Sequence, residues 1–62
     1  MILLEIKDAL LEILSINSID WLSEDEINLI VLEVDELGIN NSEDIAKHVM
    51  SDSKVFKDSL PF

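Results

Sequence analysis

The amino-acid sequence predicts an all-α fold, a compact bundle of three to four short helices in a single domain. Apolar residues recur at intervals of three and four along several stretches, which is the spacing that gathers side chains on one face of a helix. Residues that start and stop helices stand between these stretches. With 62 residues the chain has room for one small core, and domains of this size are marginally stable.

The best-specified element is a helix predicted over residues 24 to 37. Ser23 precedes it as the N-cap, because its hydroxyl can accept from the backbone amide of Glu26 while the Glu26 carboxylate reaches back. Gly38 follows the last turn, where a left-handed residue ends a helix, and Ile39 comes next to close it with an apolar contact. Since both ends are specified, we expect this helix to be central in the bundle.

This central helix is apolar on two sides. Most of its apolar residues share one wide stripe, whereas Leu29 and Leu32 fall on the opposite side. The stripe consists of Ile27, Ile30, Val31, Val34 and Leu37. Because small monomers rarely expose apolar area in patches, we expect Leu29 and Leu32 to mediate self-association into a homodimer or a larger assembly.

The other helices are less sharply bounded. Helix 1 is predicted over residues 2 to 14, with a wide apolar stripe on one side and a line of acids on the other. After the central helix, Ser42 is the expected N-cap of helix 3. A weaker fourth helix is expected to restart at Ser51 or Asp52, and residues 57 to 62 are expected to fray.

Trp21 follows a loop predicted at residues 15 to 20. We interpret Trp21 as a lid over the seam between helix 1 and the central helix, since Ile16 and Ile19 mark the loop as lying on the core. The alternative is an exposed anchor for a partner, because tryptophan is enriched at binding hot spots.

The chain carries a formal charge of −10, from 14 acidic residues against 4 lysines and no arginine. Binding nucleic acid requires cations that neutralise phosphates, so this balance argues against a nucleic-acid partner. It also disfavours anionic membrane surfaces, which attract Lys and Arg. The charge is concentrated in residues 1 to 44, which hold 12 of the acids and only one lysine, Lys7.

The cellular location is indicated by two features. The sequence contains no cysteine, which removes disulfides and thiolate metal sites and fits a reducing compartment. Its first residues lack the basic region of a signal peptide, and no run of about 18 apolar residues is present to span a membrane. We therefore expect a soluble, cytoplasmic protein.

The sequence indicates no enzyme, no cofactor and no metal site. A nucleophile needs an adjacent base, and the only histidine, His48, lies at the predicted end of helix 3, where the helix dipole favours an imidazolium. Residues 33 to 44 resemble the spacing of an EF-hand calcium loop, but Leu37 occupies its fifth, ligating position. Residues 58 to 60 are similar to the attachment tripeptide of acyl carrier proteins, but they do not open a helix as that family's serine does.

Residues 42 to 60 resemble a helix-turn-helix unit, and this resemblance implies a DNA-reading regulator. The apolar positions that follow the spacing of such units are Ile45, Ala46, Val49 and Val55. Met50 stands where the usual turn glycine would be, and only Lys54 and Lys57 are available to meet base edges and phosphates. This regulator is kept as a third alternative.

We interpret the chain as a small acidic protein-interaction module that binds a basic protein surface electrostatically. Its size and charge resemble those of inhibitors, antitoxins and immunity proteins of phages and mobile elements. That resemblance implies a nucleic-acid mimic, whose carboxylates occupy a basic groove that normally holds nucleic acid. The competing interpretation is a structural subunit that forms homo-oligomers through its apolar helix faces.

The predicted partner-binding residues crowd one corner, between the central helix and helix 3. Asp35 and Glu36 lie in the last turn of the central helix, where the helix dipole disfavours negative charge. When a protein retains residues that reduce its stability at one place, those residues more often serve a function than occur by accident. We call this set the acidic corner: Glu33, Asp35, Glu36, Glu43 and Asp44.

Overall fold

Four helices form within residues 2 to 61, the part of the chain that a computed structural model describes. They are α1 (Leu3–Ile16), α2 (Glu24–Glu36), α3 (Ser42–Ser51) and α4 (Lys54–Asp58). No strand forms among these described residues, and the predicted all-α bundle of short helices is confirmed.

Helix α2 is central, as the sequence predicted, because it packs against each of the other three helices. Its residues Ile30 and Val34 are completely buried in the core. The other helices contribute the remaining buried side chains, which include Ile6 and Leu10 from α1, Ile45 and Val49 from α3, and Phe56 from α4. The core is almost wholly aliphatic.

The capping box predicted at the start of α2 is present. The Glu26 amide donates to Ser23 Oγ at 3.2 Å, and the Ser23 amide donates to Glu26 Oε1 at 2.9 Å. Hydrogen bonding from the Ser59 hydroxyl and from Ser23 holds the pKa of the Glu26 carboxyl below its usual value. Glu26 thereby connects the start of α2 with the end of α4.

The predicted glycine stop of α2 is also confirmed. Gly38 has a φ of 71°, in the left-handed region. The Ile39 amide donates to the Val34 carbonyl at 3.3 Å, and the Gly38 amide donates to the Asp35 carbonyl at 3.1 Å. These two bonds define a Schellman motif. The helix ends at Glu36, one residue before the predicted boundary, with the next residue as its C-cap.

Helix α1 extends two residues further than predicted, because the sequence offers no glycine to mark its end. Ser18 takes the left-handed conformation instead, with a φ of 56°. The Ile19 amide then donates to the Leu14 carbonyl at 2.9 Å, the same closing bond that ends α2. The predicted loop at residues 15 to 20 is therefore wrong at its first two positions.

The starts of α3 and α4 also differ from the prediction. Asn41 caps α3, since its Oδ1 accepts from the Asp44 amide at 2.9 Å, whereas Ser42 is already the first helical residue. Helix α4 starts at Lys54, behind the buried Ser53, whose hydroxyl accepts from the Phe56 amide at 3.2 Å. The predicted restart at residues 51 or 52 is wrong, because Ser51 still belongs to α3.

Trp21 lies beside α4. Its ring centroid is 6.1 Å from that of Phe56, with the two rings tilted by 36°. Leu60 is half-buried against the core, although it belongs to the stretch that was expected to fray. Phe62, the last residue of that stretch, lies outside the described residues.

Candidate protein-binding surfaces

The acidic corner lies where α2 ends and α3 begins. Asp35, Glu36 and Glu43 are all exposed there. Asp44 is exposed as well, but it also belongs to the cap of α3. Its Oδ2 accepts from Asn41 Nδ2 at 2.8 Å, and its amide donates to Asn41 Oδ1 at 2.9 Å. Asp44 therefore has a structural role whether or not it meets a partner.

Glu33, the fifth residue of the acidic corner, has an internal partner. Its Oε1 lies 2.6 Å from His48 Nε2, and this pair joins α2 to α3. Because an ionised carboxylate can only accept, Nε2 carries the proton of this bond. The His48 side chain is 11% exposed and that of Glu33 is 24% exposed. Glu33 thus has a structural contact through Oε1, and its other carboxylate oxygen remains able to accept from a partner.

The remaining carboxylates of the acidic corner make no ion pair with a lysine of the described chain, although Lys47 follows Glu43 by one turn of α3. Within residues 2 to 61, the only lysine within 4.0 Å of a carboxylate is Lys7, which lies 3.5 Å from Glu24. The negative end of the α2 dipole adds to the charge of Asp35 and Glu36. Uncompensated negative potential at one place attracts a cationic surface and accelerates its association.

A second surface lies on the outer side of α1 and α2. Leu29 is 53% exposed and Leu32 is 51% exposed. Three leucines of α1 are also exposed: Leu3, Leu4 and Leu11. In the sequence these leucines widen the apolar stripe of helix 1, and the spacing alone does not separate its buried positions from its exposed ones.

The two helices enclose an apolar groove on this outer side, with a volume of about 340 Å³. We call it the α1–α2 groove. It is lined by Leu3, Leu4, Lys7, Asn28, Val31 and Leu32. The two leucines that the sequence paired for self-association differ in their relation to this groove. Leu32 lines the groove, whereas Leu29 is not among its lining residues.

Two side chains give the groove its polar features. Lys7 is held at 3.5 Å from Glu24, on the α2 side. Asn28 is exposed on α2, and its side-chain amide makes no hydrogen bond to another residue of the described chain. An amide supplies two donors and one acceptor. The groove therefore offers apolar contact together with one free hydrogen-bonding group.

No three His, Asp or Glu side chains of residues 2 to 61 are placed together to hold a metal ion. Glu33 and Asp35, which matched ligand positions of a calcium loop, lie within α2. Even the longest helix of the described part is not long and apolar enough to cross a membrane.

Comparison with protein families, with characterised proteins and with solved structures finds no match for this chain. The acidic corner and the α1–α2 groove are therefore the features from which a function can be argued.

Proposed function

We propose that this chain is a non-enzymatic protein-interaction module that binds a basic protein surface. The observation that carries this proposal is the set of exposed carboxylates at the acidic corner, Asp35, Glu36 and Glu43, none of which makes an ion pair with a lysine of the described chain. Two of these carboxylates stand at the C-terminus of α2, where negative charge costs about 0.3 to 1 kcal/mol each. A basic partner removes that cost on binding.

The mechanism is electrostatic steering followed by close contact. A net charge of −10 on 62 residues draws a cationic surface from a distance of about a Debye length, roughly 8 Å at physiological salt. Association is then fast and weakens as salt increases. A basic groove that holds nucleic acid fits this mechanism, since the carboxylates would stand where phosphates stand. An inhibitor or adaptor of the phage, antitoxin or immunity type would act in this way.

The test is affinity capture from the native host at about 0.15 M salt, where long-range attraction is largely screened. The substitution Asp35→Lys with Glu36→Lys should abolish retention of the basic partner, and it should raise thermal stability slightly because two unfavourable dipole contacts become favourable. The matched control is Asp20→Lys with Asp52→Lys, which makes the same change of charge at two exposed acids outside α1 and α2.

The outcomes distinguish binding through the acidic corner from binding through the net negative charge of the whole chain. Loss of capture in the α2 variant with retention in the control variant supports the proposal. Undiminished binding by the α2 variant, or an equal loss in both variants, would contradict a specific role of the acidic corner.

A homo-oligomeric subunit is the second candidate, and it is favoured by the exposure of Leu29 and Leu32 at 53% and 51%. If these leucines mediate self-association, Leu29→Glu with Leu32→Glu should convert the oligomer to a monomer. Sedimentation equilibrium at tens of micromolar protein, on the order of the concentration at which a modest interface is populated, decides this. A parent protein that is monomeric under these conditions would exclude the second candidate.

A further inference from the structure

We propose that the α1–α2 groove receives an amphipathic helix whose apolar stripe is flanked by lysine and arginine. This inference rests on the proposed function in one respect, the basic character of the partner. It adds the place of contact, the conformation of the partner segment and the pattern of its residues.

A helical occupant follows from the walls of the groove. Both walls are helices, α1 and α2, and the backbone hydrogen bonds of a helix interior are already made within it. An extended segment therefore finds no strand edge to pair with, and its own amides and carbonyls would be left without partners against an apolar surface. A helix satisfies its backbone internally and offers side chains at spacings of three and four, which is how helices occupy grooves between helices.

The basic flanks follow from the charges along the same faces. On α2, Asp25 lies one turn before Asn28, and Asp35 and Glu36 lie one turn after Leu32. On α1, Asp8 stands between Leu4 and Leu11 in the same way. Each of these carboxylates is exposed. An apolar floor with carboxylates at its edges is complementary to an apolar stripe with cations at its edges.

The one cation of the groove does not reverse this pattern. Lys7 is the single lysine of α1 and α2, and it lies 3.5 Å from Glu24. Its charge is therefore compensated within the chain. Every other charged side chain on these two helices is acidic.

A second copy of this chain fits the groove less well. A symmetric dimer would bring the same surface patch of each copy together. Helices α1 and α2 carry nine acids and one lysine, so each copy would place carboxylates opposite carboxylates. Like charges across an interface oppose association. The charge of this face favours a cationic partner over self-association.

The dimensions of the groove set the kind of contact. Its volume of about 340 Å³ is near the lower end of the range for binding pockets, roughly 300 to 1,000 Å³. It is suited to a few apolar side chains from one or two turns of a helix. The amide of Asn28 can then bond a polar side chain of the partner and fix its position along the groove, as single polar groups do in helical interfaces.

The experiment is a selection from a displayed library of random peptides about 16 residues long, enough for four helical turns. Selection is carried out on the wild-type protein alone, and the enriched peptides are then measured for binding to Leu4→Glu with Leu32→Glu. The matched control, Ile16→Glu with Leu37→Glu, adds the same charge at two exposed apolar residues outside the groove. Circular dichroism of both variants verifies that they remain folded.

The expected result is enrichment of peptides with apolar residues at i, i+3 or i+4, and i+7, flanked by Lys and Arg. Such peptides should bind the Leu4→Glu, Leu32→Glu variant at least about tenfold more weakly and the control variant unchanged. The added negative charge would by itself strengthen the binding of a basic peptide, so a loss of binding reports on the apolar contact.

Three results would overturn the inference, and they differ in what they leave standing. Basic peptides without apolar periodicity, bound equally by both variants, would remove the groove but retain the proposed basic partner. Apolar peptides with neutral or acidic flanks would retain the groove as the contact site but remove the proposed basic partner. An absence of enriched peptides together with a dimer in sedimentation, abolished by Leu4→Glu with Leu32→Glu, would assign the groove to a second copy.

Discussion

The inner and outer sides of the α1–α2 pair both carry aliphatic side chains, but those on the inner side are buried and those on the outer side are exposed. On the inner side Leu10 and Ile30 are fully buried by α3 and α4, whereas on the outer side Leu4 is 65% exposed and Leu32 is 51% exposed. Helices α3 and α4 have 10 and 5 residues, too few to cover both sides of a longer pair. Whether an apolar helix face is buried therefore depends on the helices that pack against it and not on its composition alone.

This difference implies that the two sides have separable roles. The inner side supplies the stability of the fold, and the outer side is free for a partner. Substitutions on the inner side should change stability, and substitutions on the outer side should change binding while leaving stability nearly unaltered.

The largest expected effect compares Leu10→Ala with Leu32→Ala. Removing the buried Leu10 side chain leaves a cavity and should reduce the free energy of unfolding by about 2 to 5 kcal/mol, a large share of the total for a domain of this size. Leu32→Ala should change it by less than about 0.5 kcal/mol. Urea denaturation of both variants measures the difference. An equal loss in the two variants would mean that the outer side is covered in solution.

The next effect concerns the contact between α2 and α3. His48→Ala removes the 2.6 Å hydrogen bond to Glu33 and should reduce the free energy of unfolding by about 1 to 3 kcal/mol, because a half-buried carboxylate loses its donor. Lys47→Ala, at the neighbouring exposed position, is the control and should be nearly neutral. A double-mutant cycle with Glu33→Ala, which removes the acceptor, measures the coupling. Additive effects would show that this pair contributes nothing as a pair.

A smaller effect is expected at the N-cap of α2. Ser23→Ala removes the acceptor of the Glu26 amide and should reduce the free energy of unfolding by about 1 kcal/mol, which lowers the melting temperature by roughly 4 to 8 °C. Ser42→Ala is the control, because Ser42 does not cap a helix and the N-cap of α3 is Asn41. The Ser42 variant should melt as the parent does. If the two serine variants melted alike, the cap assignments would be wrong.

The smallest effect compares the two helix stops. Ser18→Gly should raise the free energy of unfolding by up to about 1 kcal/mol, since glycine adopts the left-handed conformation without the steric cost of a Cβ. Gly38→Ser should lower it by a similar amount. A Cβ at Gly38 would meet no other atom within 4 Å, so this substitution reports on the backbone conformation alone. Thermal unfolding that does not move in opposite directions for the two variants would contradict this explanation.

Local signals in the sequence predicted local structure correctly. The capping box at Ser23 and the stop at Gly38 depend on residues three to five positions apart, and both are present. The end of α1 was misplaced because Ser18 carries no comparable signal. Contacts between residues far apart in the sequence could not be predicted either, because no local signal marks them. Glu33 and His48 are 15 positions apart, and no periodicity links them.

The candidate site was predicted only in part. Helical spacing placed Leu29 and Leu32 opposite the core-facing stripe of α2, and both are exposed. Helical spacing could not show that Leu3 and Leu4 are exposed as well, because the apolar stripe of α1 includes buried and exposed positions without a break. Only the lengths and positions of α3 and α4 decide which part of that stripe remains uncovered.

The most direct test of the central claim, that the outer side of α1 and α2 is a binding surface for a basic helix, is an amide chemical-shift titration. The ¹⁵N-labelled protein is titrated with a basic amphipathic peptide obtained by the selection described above. We expect the largest shift changes at residues 3 to 7 and 28 to 32, with small changes at the buried α3 residues Ile45 and Val49. Changes confined to Asp35, Glu36 and Glu43, with the groove amides unmoved, would contradict the account.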